Sequence, residues 1–312
     1  MRTDLPLITI GIPTYNRASG TLPITLESAL SQDYPNFEIV VSDNCSVDNT
    51  QQVVQAYKDD RVNYIRQQVN IGSNNNYNAC LKAARGEYFL LLHDDDLIDK
   101  DFLTTCMKHA DKQIRYGLIR TGTRIVDAAG RFVKEPRNEV ETNARDDLYE
   151  SWLTGKAAFY LCSTLFNTGA LREIGGFRSK NNLFEDGIAI IEIAHRWPIL
   201  NITEAKASFR QHGDQRTHAA AVDNWCEDFK QAIDLIYQYT EGDRDALYLK
   251  GMRQFSKVGL HFAERSGNPA LKILTMFKVS KHFHYRYWPE KRKRNLFGWV
   301  GSLLYPEKKP AL

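Results

Sequence analysis

Tyr88-Phe89-Leu90-Leu91-Leu92-His93-Asp94-Asp95-Asp96 is the stretch on which the fold and its chemistry turn. Its first five residues are bulky and almost wholly apolar, which suits a strand buried on both faces of a parallel sheet. Three aspartates follow at once. Adjacent carboxylates repel, and burying them together without a cation is costly. Hard oxygen ligands at the end of a buried strand suit Mg2+ or Mn2+, ions that also bind substrate phosphates. The plain alternative is a solvated acidic turn capping a helix near Asp99 or Asp101. Position alone leaves the two level; the apolar strand aiming the cluster at the sheet's rim favours the metal.

Upstream, strand and helix patterns alternate. Residues 7–12 form an apolar run ended by Pro13 and read as a first buried strand. Leu22, Leu26, Ala29 and Leu30 fall at helical spacing, closed by Pro35 and Asn36. Residues 37–41 read as a second strand, Val53, Val54 and Tyr57 as a second helix, and residues 62–65 as a third strand. Residues 74–84 read as a helix ended by Gly86, and residues 88–92 as the fourth strand. The fold class is therefore α/β, a mostly parallel sheet flanked by helices. Ligands of such sheets sit beyond the carboxyl ends of the strands. Asp43, after strand two, and Asp94, Asp95 and Asp96, after strand four, are thus expected to meet at one rim.

Downstream, a helix from Asp101 toward Lys112 precedes a strand at 118–120 and a hairpin over 124–133 that turns at Ala129-Gly130. Residues 146–154 read as helix, 159–166 as strand, 168–174 as a short helix before a Gly175-Gly176 hinge, and 184–196 as helix. From Val222 onward the chain reads as amphipathic helices.

With 312 residues, 43% hydrophobic and 25% charged, the chain suits one large domain or a domain with an appendage. A net charge of +3 is too small to point to nucleic acid. Five cysteines (Cys45, Cys80, Cys106, Cys162, Cys226), odd in number and lacking a CxxC pair, argue against a disulfide framework or structural zinc. A reducing cytoplasm fits them. The N-terminal apolar run is too short for a signal peptide, and no window approaches ~18 uninterrupted apolar residues.

Other polar residues carry two readings each. Asp43 in Ile39-Val40-Val41-Ser42-Asp43-Asn44 can accept hydrogen bonds from a base or ribose, or form an Asx turn with its polar neighbours; the triple aspartate favours the former. In Phe184-Glu185-Asp186-Gly187, two acids stand where a helix begins, either as general base or as partners of the helix dipole. The segment containing Arg210, His212, Arg216 and His218 has the cations and imidazoles to meet a diphosphate or metal, or is a solvated loop. The remaining histidines, His93 among them, read as packing or surface residues. Residues 278–294 hold seven Lys and Arg against Glu290, interleaved with Phe283, Tyr285, Tyr287 and Trp288; Phe297, Trp299 and Leu303-Leu304 follow. This mixture in 278–304 suits an anionic membrane surface and carries no RNA-binding signature, while a solvated tail is the alternative.

The ordered motifs resemble glycosyltransferase family 2, with its GT-A nucleotide-binding fold. The likeness covers residues 7–218. It runs through Ile10-Gly11-Ile12-Pro13-Thr14-Tyr15-Asn16-Arg17, then Ala29-Leu30-Ser31-Gln32-Asp33-Tyr34-Pro35, Val41-Ser42-Asp43-Asn44, Asn70-Ile71-Gly72, Ala84-Arg85-Gly86-Glu87-Tyr88 and His93-Asp94-Asp95-Asp96. The resemblance implies a donor site for a nucleotide-diphospho-sugar formed by Pro13, Thr14, Tyr15, Asn16, Arg17, Asp43, Asp94, Arg210 and His212. It implies Asp95, Asp96 and His212 as ligands of Mn2+ or Mg2+, Asp186 as catalytic base and Glu185 beside it on the acceptor side. Two positions depart from the pattern: many members carry an acid where His93 stands, which leaves open which aspartate completes the metal pair, and a second acid where Ser42 stands, which bears on the ribose or base contacts and so on the nucleotide.

The implied organisation is a GT-A catalytic domain over 1–220, split into a nucleotide-binding half (1–115) and an acceptor-binding half (116–220), then a helical, basic-aromatic region over 221–312. The implied reaction is inverting transfer to a carbohydrate or lipid-linked acceptor hydroxyl, in bacterial surface polysaccharide or glycolipid assembly. The implied setting is the cytoplasm, or the inner face of its membrane. A sugar-phosphate nucleotidyltransferase and a non-catalytic membrane-docking protein are the competing classes.

Overall fold

The computed structural model describes residues 5–212, 221–264 and 269–283. Strands β1 (Ile8–Thr14), β2 (Phe37–Asp43), β3 (Val62–Arg66) and β4 (Tyr88–Leu91) lie parallel in the order β3-β2-β1-β4. Helices α1 (Leu22–Leu30), α2 (Thr50–Gln55) and α3 (Ser73–Ala83) connect them. Every residue of β1, β2 and β4 is buried, which suits their largely apolar character, with Thr9, Glu38, Ser42 and Asp43 among the buried polar groups within them. Ile10, Ile12, Val41 and Leu90 share one core with Leu22 and Leu26 of α1.

The next elements are β5 (Leu97–Ile98), α4 (Phe102–His109), β6 (Leu118–Val126), β7 (Phe132–Lys134) and α5 (Arg145–Leu153). After them come β8 (Thr164–Asn167), α6 (Thr168–Glu173), α7 (Glu185–Arg196) and β9 (Ile199–Arg210). They extend the sheet to β3-β2-β1-β4-β8-β6-β9-β5, with β7 on β6. β8 runs antiparallel to both β4 and β6, whereas β6 and β9 are parallel. One half of the sheet is therefore purely parallel and the other mixed.

Several details depart from the sequence reading. Pro13 does not end β1 but lies inside it, opposite Ser42. The register of β1 with β4 stops at Gly11, so Pro13 has a strand partner on one side only and its missing N–H is tolerated. Of the expected 159–166 strand only residues 164–166 belong to a strand, β8, which runs on to Asn167; Leu161–Ser163 form a 3-10 turn. There the Ser163 and Thr164 hydroxyls donate to the Tyr160 carbonyl, at 3.3 and 2.9 Å, in place of ladder bonds. β5 and the long β9 have no counterpart in the sequence reading.

Helices α8 (Val222–Tyr239), α9 (Arg244–Glu264) and α10 (Pro269–His282) complete the described chain. The chain divides into two compact units. The first comprises Met1–Trp152, Lys156–Arg178 and Glu185–Gln215; the second comprises Leu153–Gly155, Ser179–Phe184 and Arg216–Leu312. In the second, Phe184 packs edge-on against Phe229 at 5.2 Å, and Phe229 stacks on Phe255 at 4.3 Å. Arg216, His218 and the part of 278–304 from residue 284 on lie outside the described residues. Among those described, no helix is long and apolar enough to cross a membrane.

The amino ends of the strands are tied by a buried polar knot. Thr9 Oγ1 receives the Gly86 N–H (2.8 Å) and donates to Glu38 (2.7 Å), which also accepts the Arg85 Nε (2.7 Å). Burial opposes ionisation of Glu38, but the hydrogen bonds from Arg85 and Thr9 outweigh it and hold its pKa below the usual value. A Cβ on Gly86 would fall 2.6 Å from the Thr9 nitrogen and 2.8 Å from the Leu7 oxygen, both backbone atoms unable to yield. Gly86→Ala should cost about 1–3 kcal/mol, read as a lower denaturant midpoint at unchanged slope. A midpoint equal to wild type would show that the backbone gives way.

Candidate active site

The parallel strands deliver their following turns to one rim. Thr14 and Asp43 end β1 and β2 in register, and the Asn44 N–H donates to the Thr14 carbonyl at 2.9 Å. Beyond them the two turns are sewn together. Asn16, in the left-handed region at φ 54°, donates its N–H to Ser46 Oγ (2.9 Å) and accepts the Val47 N–H on Oδ1 (2.8 Å). The Ala18 N–H reaches Asp48 at 3.1 Å. Asp43 is 1% exposed and accepts the Ser46 N–H (2.8 Å) and the Tyr64 hydroxyl (2.5 Å), with Arg66 3.6 Å away. Burial and this bond push the Tyr64 phenol well above its ordinary pKa. Ser42 points the other way, to Asn76 of α3 at 2.7 Å. Pro13 underlies the turn and Tyr15 stands exposed.

The triple aspartate follows β4 at the same rim. Asp94 has its pKa raised to about 6 by burial and the neighbouring Asp95 charge, while Thr14, Arg17 and His93 act in the opposite sense. Asp95 Oδ2 lies 2.8 Å from His212 Nε2. Asp96 is 1% exposed; its Oδ1 accepts the Arg210 N–H (3.0 Å), and its Oδ2 is 3.6 Å from His93 Nδ1. The Arg210 guanidinium donates to the carbonyls of Asp95 (2.8 Å) and Ala128 (3.1 Å), locking the β6–β7 hairpin to the acidic turn. The capping alternative does not describe this turn. Asp101 is the residue before α4, where capping was expected, but its side chain makes no capping bond and its carboxylate goes to Lys206 at 2.7 Å.

His93, Asp95 and Asp96 each offer a ligand atom within 4.8 Å of the others. Burial works against a charged His93, but Asp96, Asp95 and Asp94 outweigh it and lift its pKa to about 9. Its Nε2 is buried without a hydrogen-bond partner among the described residues. One buried and one half-buried carboxylate and an imidazole with an unused nitrogen fit a hard divalent cation such as Mn2+ or Mg2+. His93 was the member that sequence reasoning missed; its adjacency to the cluster was the one available signal.

Glu185 and Asp186 open α7, where the helix dipole favours negative charge. Asp186 Oδ1 accepts the Gly187 N–H at 2.6 Å, and Glu185 is 4% exposed. Tyr160 feels charge from both this end and the acidic turn. Burial first, then the charges of Cys162, Asp186 and Asp96, push its phenol upward, and its ring lies 4.8 Å from that of Phe209 in β9. Both Asp186 and Asp96 therefore act on one side chain.

The family model described as "Glycosyl transferase family 2" matches residues 9–175. The chain belongs to this family. Among curated relatives, the putative colanic acid biosynthesis glycosyl transferase WcaA of Escherichia coli (strain K12) is 33% identical over 116 residues, 36% of this chain and 41% of that protein. The GalNAc(5)-diNAcBac-PP-undecaprenol beta-1,3-glucosyltransferase of Campylobacter jejuni is 34% identical over 134 residues, 42% of each chain. The chain thus spans less than half the length of these two relatives. Among solved structures, S. aureus TarS 1-349 in complex with UDP-GlcNAc matches with TM-score 0.68 at 19% identity, covering 91% of this chain and 82% of that one. A mannosyltransferase from Pyrobaculum calidifontis, solved with GDP-Man and Mn2+, matches with TM-score 0.53 at 18% identity, over 96% and 86% of the two chains. These likenesses establish the fold, the GT-A type of α/β sheet.

Proposed function

We propose that the chain is an inverting glycosyltransferase that moves a sugar from a nucleotide-diphospho-sugar to an acceptor hydroxyl. What supports this reading is that the turn at Asp43 and the His93–Asp95–Asp96 group both follow parallel strands to one rim of the sheet. Thr14, Asn16, Arg17 and Asp43 belong to the sewn turns that hold the nucleoside, with Pro13 and Tyr15 shaping their edge. Asp95 and Asp96, with His93 or His212, hold the divalent ion. When bound, that ion neutralises charge on the departing diphosphate. Asp186 accepts the proton of the acceptor hydroxyl as its oxygen attacks the anomeric carbon, so one displacement inverts that centre. Glu185 borders the acceptor. Arg210 keeps the acidic turn and hairpin in place beside the phosphates.

The nucleotide-binding role falls to the parallel half of the sheet and acceptor binding to residues 116–220. The acceptor class is a carbohydrate or lipid-linked glycan of bacterial surface polysaccharide or glycolipid assembly. This rests on the names of the colanic acid and undecaprenol-linked relatives. A lipid-linked acceptor also suits a cytoplasmic enzyme held at the membrane face through 278–304. Half-exposed Ile273 and Leu274 on α10 lead toward that stretch.

A panel of UDP-, GDP- and dTDP-sugars, read by release of the nucleoside diphosphate, tests the reading. Release from at least one donor that depends on Mn2+ or Mg2+ is expected. Diphosphate release from a nucleoside triphosphate and a sugar phosphate instead would make the chain a nucleotidyltransferase.

A further inference from the structure

The catalytic-base assignment leaves unexplained what fixes the chain where it arrives at Asp186. The approach is an irregular segment, Ser179–Phe184, which belongs to the second compact unit. One carboxylate organises it. Asp228, in the middle of α8, is fully buried, and its hydrogen-bond donors among the described residues are neutral groups. Its Oδ1 accepts the backbone N–H of Asn181 (2.8 Å) and the Asn181 side-chain amide (2.9 Å). Its Oδ2 accepts the Ser179 hydroxyl (2.6 Å) and the Leu183 N–H (3.0 Å). Ser179 Oγ passes the constraint on, accepting the Leu183 N–H (3.2 Å) and the Phe184 N–H (3.1 Å). The segment bends through Asn182 at φ 54°, a left-handed conformation that a free chain rarely holds.

A buried carboxylate is costly unless its oxygens are satisfied by donors, and four donors from one short loop satisfy it. The loop and the carboxylate therefore define each other. The last residue held in this way, Phe184, is joined by one peptide bond to Glu185 and stands two residues before Asp186.

We infer that Asp228 is a positioning residue for the transfer reaction: through Ser179 and the Leu183 and Phe184 amides, it sets the entry into α7 and so the place of the Asp186 carboxylate. This rests on the reading of Asp186 as the base. Reaction rates are steep in the placement of a base, and a shift of about 1 Å can cost about a hundredfold.

The test uses the full chain, Mn2+ and UDP-glucose, or the member of the donor panel that wild type turns over. Asp228→Asn keeps the shape, but its amide nitrogen cannot accept the donors now facing one oxygen. Its kcat should fall about 10–100-fold with the donor KM unchanged. Amide exchange at Leu183–Gly187 should quicken while that of β1–β4 stays as in wild type. Ser179→Ala should produce a smaller loss of the same kind, and it decides the matter if Asp228→Asn does not fold. A folded variant with wild-type kcat, or unchanged exchange at Leu183–Gly187, overturns the inference. Asp186→Asn, run in parallel, separates the two ideas. Wild-type turnover in that variant defeats the base assignment itself, whereas its inactivity beside a fully active Asp228→Asn defeats only the positioning role.

Discussion

Asp186→Asn should lower transfer by about 10²–10⁴-fold, the usual contribution of a positioned general base. The substitution keeps the volume and the acceptor oxygen for the Gly187 N–H at the start of α7, so the helix end is retained. What it removes is the ability to take a proton. Binding of a nucleoside diphosphate with Mn2+ should stay near wild type, because the sewn turns after β1 and β2 and the acidic turn after β4 do not involve this carboxylate. Kinetics and calorimetry on the same preparation give the decisive pair of numbers. Turnover within a few-fold of wild type would remove Asp186 from the mechanism, and a parallel loss of nucleotide affinity would make its role one of structure.

Asp95→Ala should remove the metal dependence of nucleotide binding. Asp95 is shared by both arrangements in the structure, the group with His93 and Asp96 and the 2.8 Å contact with His212. Even partners outside the ligand shell typically change metal affinity about 10–100-fold, and a ligand should matter at least as much. The direct readout is a titration of Mn2+ into the UDP-bound protein. Folding should survive, since the neighbouring Asp96 keeps its bonds to the Arg210 amide and, through its carbonyl, to Thr25. Unchanged Mn2+ affinity would move the ion's main ligand to Asp96 or His93.

The parallel half was legible because burial on both faces leaves a simple mark: Ile10, Ile12, Ile39, Val41 and Leu90 sit in runs too apolar for anything but a covered strand. The rim followed from topology, since parallel strands end their turns on the same side. β9 was not legible. Its Ile199–Arg210 segment carries Glu204, Ala205 and Lys206, poor strand formers, and its register against β6 slips twice near Gly122, which destroys the period of two. His93 was read as packing because adjacency along the chain does not say where a ring nitrogen points; the structure supplies a buried, unused Nε2. Asp228 was invisible for a related reason. Its partners lie 45 to 49 residues upstream in a loop with no periodic pattern.

The bond between the Arg210 amide and Asp96 spans 114 positions. Closing so distant a pair is slow and comes after local contacts have formed. During synthesis, a growing polypeptide can therefore assemble its four parallel strands long before β9 reaches the acidic turn. The Asp96 carboxylate, one of the groups proposed to hold the ion, is thus fixed in place only once β9 has arrived.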